Sequence, residues 1–153
     1  MSDLIFIKKF KRQGKQGVVG IVKDKKDKLY IYKTPQFNNY LSRHEFLVMK
    51  CLQSIRNSCP HYCNVHTLLN KKVDSQYNKK ENLFKVDTKS LFNIEVLLME
   101  YLPYKNLTDC IMDKKVSNDI LYSTIKMVLI ATQIAQLKCD FTHYDLHSGN
   151  ILM

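Results

Sequence analysis

A chain of 153 residues is one domain's worth of sequence, with room for one sizeable core, so a two-domain reading needs a special reason. Apolar residues at 45% and charged residues at 25% exclude disordered, collagen-like and membrane-like composition. The net charge of +10 admits nucleic acid, an acidic surface or a phosphate-bearing ligand as a partner. The lysines nevertheless come in bursts, "KKFKRQGK", "KDKKDK" and "NKK" twice, which fall in expected turns with few aromatics between them. Solvated charge accounts for them at least as well as a nucleic-acid stripe.

In chain order, alternation in "LIFIKKF", "GVVGIV" and "KLYIYK" predicts three antiparallel strands, with the glycine-bearing turn "RQGKQG" between the first two and "KDKKDK" as a charged hairpin connection. After Pro35, Leu41, Phe46, Met49, Leu52 and Ile55 recur near helical spacing, and Asn38 or Asn39 can cap that helix. "NVHTLLN" predicts a strand, "KKVDSQYNKKENLFKVDTKS" a polar excursion, and "LFNIEVLLMEYL" a buried central strand ending at Pro103. A short helix follows, then a long amphipathic one, "SNDILYSTIKMVLIATQIAQLKC", capped by Ser117 or Asn118 with Leu121, Ile125, Val128, Thr132 and Ala135 on one face. The order defines an α+β fold with its sheet first.

Two absences bear on location. "MVLIATQIA" is interrupted by Gln133 and falls short of the roughly 20 apolar residues of a membrane span. The N-terminus has neither a basic segment before its apolar run nor a small-residue cleavage site after it. The expectation is therefore a cytoplasmic protein with no membrane partner. Five scattered cysteines suit free thiols in a reducing compartment. In "CPHYCNVH", Cys59, His61, Cys63 and His66 are all zinc-ligand types, but their spacing matches no common structural zinc pattern, and a helix-to-strand connection with small buried thiols is the simpler reading.

The residue types that carry chemistry occur at four places. "HYDLHSGN" sets His143, Asp145 and Asn150 at the spacing of a loop in which a carboxylate accepts a hydroxyl proton and, five residues on, an amide oxygen reaches a metal. "GKQGVV" supplies Gly14, Lys15, Gln16, Gly17 and Val19, a turn whose glycines let backbone N–H groups close over phosphates; taken alone, an ordinary hairpin is the simpler explanation. "YIYK" ends a strand on Lys33, and "RHEFLVMKCL" places Glu45 in the next helix, where it can steer the lysine. "LLMEYLPYKNL" ends an apolar strand at Met99, before Glu100, Tyr101 and Leu102.

In this order the four segments resemble the protein kinase superfamily, and the lysine-rich loops with "CPHYC" resemble the divergent kinases of large cytoplasmic DNA viruses. The resemblance implies an N-lobe and hinge over 1–102 and the start of a C-lobe over 103–153. It implies ATP under Gly14, Lys15, Gln16 and Gly17 with Val19 on the base, Met99 as gatekeeper, and Glu100 to Leu102 as hinge. It further implies Lys33 on the phosphates, Asp145 as base and Asn150 on Mg²⁺. The expected activity is phosphoryl transfer to a protein serine or threonine, in the host cytoplasm or a virion, by an enzyme longer than this chain. The 153 residues alone are expected to be inactive and to need a partner over the incomplete C-lobe. Arg12 stands at the first glycine of the turn motif, Tyr144 replaces the usual arginine, and His147 stands where serine/threonine kinases carry lysine. "DLHSGN" is also similar to small-molecule phosphotransferases. A non-catalytic kinase-derived module and a basic nucleic-acid binder are the remaining alternatives.

Overall fold

Alternating apolar residues become strands and the helically spaced ones become helices, giving a mixed α+β fold. The computed structural model describes residues 4–10, 17–35, 39–73 and 92–153. It divides into two units, Met1–Gln53 with Cys63–Tyr101, and Ser54–Tyr62 with Leu102–Met153.

The first unit is a five-stranded sheet, β1 (Ile5–Lys9), β2 (Gly17–Lys23), β3 (Leu29–Pro35), β4 (Val65–Val73) and β5 (Phe92–Glu100), with helix α1 (Asn39–Ser54). The spatial order is β1-β2-β3-β5-β4, and every neighbouring pair is antiparallel. The charged hairpin between β2 and β3 is organised by Asp24, whose carboxylate accepts from the N–H groups of Lys26 and Lys28 and from the Tyr30 hydroxyl. Asp27 takes the left-handed conformation at φ 61°, which a short polar side chain tolerates. The polar excursion expected at 71–90 begins as strand through Val73, and the rest of it lies outside the described residues.

One side of the sheet gathers Val18, Val22, Tyr32, Ile94, Val96 and Leu98 into a buried cluster, with Leu4, Phe6, Tyr30 and Leu69 against it. β5 is apolar on both faces from Ile94 to Leu98 except for Glu95, as a central strand must be. Tyr32 is wholly buried because Gly20 stands opposite it on β2. A Cβ there would lie 2.6 Å from the Tyr32 ring and 2.4 Å from the Lys8 carbonyl oxygen. Along α1, Ser42 and Leu52 are buried, while Leu41, expected on the apolar stripe, is exposed in the first turn.

The second unit holds α2 (Leu107–Met112), α3 (Asn118–Cys139) and a short 3₁₀ turn at Ser148–Asn150. Asn106 caps α2 by accepting from the Asp109 N–H, and Ser117 caps α3 by accepting from that of Ile120. Both supply an acceptor that the N–H groups of the first helical turn lack. Asp140 ends α3 at φ 49° and donates its N–H to the Ala135 carbonyl. The buried residues of α3 are Ala131 and Ala135, and the Tyr62 hydroxyl donates to the Ala131 carbonyl at 3.0 Å. Ile125 is exposed, as are Tyr122, Leu129, Ile130 and Leu137, and Leu121 and Val128 on the face it shares are half-buried. By length and composition α3 is also long and apolar enough to cross a membrane, which the reading of its interrupted apolar run did not anticipate. Scattered polar residues break a run without making the helix as a whole polar.

Burial pushes the hydroxyls of Tyr32 and Tyr62 up from 10.0 to about 12. Their folded values exceed their unfolded ones, so the associated stability is present below pH 10 and is lost as pH rises toward 12. Alkaline titration followed by tyrosinate absorbance should show these two of the nine tyrosines ionising late, together with loss of far-ultraviolet ellipticity. Ionisation of all nine in one early step with structure intact would contradict this packing.

Candidate active site

In the first unit, β3 carries Lys33 between Val19 of β2 and Leu97 of β5, each directly opposite it in register. The Lys33 ammonium donates to both carboxylate oxygens of Glu45 in α1, at 2.9 and 2.7 Å. The two side chains are 28% and 33% exposed, so the pair is partly withdrawn from water yet reachable. A charge held this way is steered without being neutralised by burial, which suits it to phosphate oxygens. The sequence therefore paired the correct two residues across 12 positions.

The end of β5 is more committed than its sequence suggests. The Glu100 N–H donates to the Asn64 carbonyl at 2.9 Å. Its carboxylate accepts from the Asn64 main-chain and side-chain N–H groups at 3.1 and 3.0 Å. The Cys63 thiol lies 3.6 Å from the Glu100 carbonyl. Glu100 thus fastens β5 to the start of β4, and Met99 before it is half-buried between Ile31 and Val65.

Gly17 opens β2, where a Cβ would lie 2.0 Å from the Thr34 carbonyl oxygen. Its lack of a side chain serves close strand approach, whatever else it does. Gly14, Lys15 and Gln16 lie outside the described residues, as does Arg12. Among the described residues no three or more His, Cys, Asp and Glu side chains group to hold a metal ion, so Cys59, His61, Cys63 and His66 form no such cluster.

In the second unit, the loop after α3 brings Asp145 and Asn150 together. The Asn150 side-chain amide donates to the Asp145 carbonyl at 2.9 Å and approaches its carboxylate at 3.4 Å. With the nitrogen so placed, the amide oxygen is the atom left for a cation. His143 accepts the Asp145 N–H at 3.3 Å. His147 accepts the Gly149 N–H through Nδ1 at 3.1 Å, and its Nε2 stands 3.8 Å from the Asp145 carboxylate. A Cβ on Gly149 would meet the His147 ring at 2.8 Å, so a side chain there would shift the exposed imidazole.

The loop is tied to the start of α2 by Leu107 N–H to the Ile151 carbonyl, Met153 N–H to the Lys105 carbonyl, and Thr108 hydroxyl to Ser148 hydroxyl. Asp145 is left with a side chain 83% exposed, and Tyr144 is 95% exposed. Leu102 is half-buried in the irregular segment between β5 and α2. The donor set fits magnesium carried on a polyphosphate, an ion that keeps waters and takes few protein ligands.

One interaction escaped the sequence reading: Arg43 of α1 pairs with Glu95 of β5. The signal was an acidic residue inside the apolar run "FNIEVLLME", since a carboxylate at such a position is costly without a partner.

No protein-family model matches the chain. Uncharacterized protein 038R of Invertebrate iridescent virus 3 is 27% identical over 188 residues, an alignment covering 99% of this chain and 34% of that protein. The MAP kinase LmaMPK10 from Leishmania major matches at a TM-score of 0.53 with 16% identity, over 97% of this chain and 42% of the kinase. The chain thus spans about a third of its curated viral relative and under half of the kinase. The structural likeness, at this identity, defines the fold as protein-kinase-like, a five-stranded antiparallel sheet followed by helices. The sequence likeness is to a viral protein.

Proposed function

We propose that the chain is the nucleotide-binding and catalytic-loop portion of a kinase that transfers the γ-phosphoryl group of ATP to a serine or threonine hydroxyl of a protein. The observation that carries this reading is the two-point Lys33–Glu45 pair on a kinase-like fold. In this reading residues 1–102 bind the nucleotide and residues 103–153 begin the lobe that takes the acceptor. The viral relative supports a site of action in the host cytoplasm or the virion.

Magnesium bound with ATP would supply neutralisation of the phosphate charge. Lys33, steered by Glu45, donates charge-assisted hydrogen bonds to the phosphate oxygens. Asp145 accepts the acceptor hydroxyl's proton as its oxygen bonds to the γ-phosphorus and the bond to the ADP oxygen breaks. Asn150 offers its amide oxygen to the cation while its nitrogen steadies Asp145.

Calorimetric titration of the 153-residue chain with Mg-ATP tests the first step. Lys33→Ala should weaken binding about tenfold or more, as loss of a charge-assisted contact to phosphate does. Equal affinity in the two proteins, or no heat from the parent, would sink the reading.

A further inference from the structure

Two ion pairs, Lys33–Glu45 and Arg43–Glu95, hold α1 on the same face of the sheet. Lys33 lies opposite Leu97, and Glu95 is two residues along β5 from Leu97, which puts both side chains on one face. On the helix, Arg43 and Glu45 are two positions apart, roughly 200° around the axis at 3.6 residues per turn. Glu45 therefore falls within the inward stripe of Ser42, Met49 and Leu52, and Arg43 lies beyond its edge, roughly 100° from Ser42.

We propose that Arg43 and Glu95 form a rotational lock on α1, a positioning pair that keeps Glu45 turned toward Lys33. This rests on the reading of Lys33 and Glu45 as the phosphate clamp. A single clasp on the stripe leaves a helix able to roll about that contact; a second at a different angle around the axis removes the freedom. Apolar packing restrains α1 only in part, because Leu52 is buried while Phe46, Val48 and Met49 are half-buried. Glu95 is 7% exposed, so its carboxylate cannot turn to water and it anchors the lock at a fixed point on β5. The Arg43 side chain is 67% exposed, which puts the other half of the lock at the rim.

The experiment uses the 153-residue chain without nucleotide and measures the rate of reductive methylation at the Lys33 amine by mass spectrometry. Glu45→Ala should raise that rate, and Arg43→Ala should raise it comparably, roughly fivefold or more, with the double variant no faster than either, as coupled positions behave. Arg43→Lys should keep the slow rate, and so should the exchange Arg43→Glu with Glu95→Arg. A parent-like rate in Arg43→Ala overturns the lock. If Arg43→Ala fails to fold, the exchanged pair decides: a slow Lys33 supports the lock and a fast one in a folded protein overturns it. Mg-ATP titration of the same samples separates the two ideas, because a parent chain that binds no ATP sinks the clamp reading while the methylation rates still judge the lock.

Discussion

Asp145→Asn should lower phosphoryl transfer by about two to four orders of magnitude, the range removed when a general base is lost, in any version of this protein that transfers phosphate. The substitution keeps the size of the side chain and changes its proton affinity. The Asn150 amide bonds the main-chain carbonyl of residue 145 at 2.9 Å, and that bond survives the exchange. The loop's other ties, from Leu107, Met153 and Thr108, do not involve residue 145. Circular dichroism and Mg-ATP affinity should therefore stay close to those of the parent while single-turnover transfer of labelled phosphate to a protein acceptor collapses. An unchanged rate would remove Asp145 from the role of base.

Tyr32→Ala should destabilise the first unit by about 3–5 kcal/mol, the scale for emptying a fully buried aromatic site. The ring is wholly buried among Val22, Val96 and Leu98, at a position cleared by Gly20. The backbone of the surrounding strands is fixed by ladders on both sides of β3, so collapse into the space is limited and most of the cavity remains. Domains of this size have only about 5–15 kcal/mol in hand, so urea unfolding should show a midpoint far below the parent's. A loss under about 1 kcal/mol would show that the ring is not part of a close-packed core.

β1, β2 and β3 were legible from alternation bounded by turn residues, β5 from a continuous apolar run, and the start of α3 from its cap Ser117; Asn38, the other candidate cap for α1 besides Asn39, lies outside the described residues. Lys33 and Glu45 were legible as a pair because the strand end and the helix follow directly on one another. What was hidden depended on residues far apart in the chain. Glu100 reads as the start of a linker, yet its hydrogen bonds go to Asn64, 36 positions earlier. Gly17 reads as a phosphate-cradling glycine, yet the constraint on it comes from the Thr34 carbonyl on the neighbouring strand. Glu95 was averaged into an apolar run, and its partner lies 52 positions away on a helix whose charged residues look solvated.

The ties between the Asp145 loop and the start of α2 reach across 40 residues at Thr108 and Ser148. Closing a chain segment of that length costs roughly 3 kcal/mol in entropy. The three hydrogen bonds that close it contribute about 1 kcal/mol each. The two nearly cancel, so the turn carrying Asp145 cannot order itself. It depends on α3 to bring the chain back to α2, so a substitution that weakens α3 should also loosen the turn that carries Asp145.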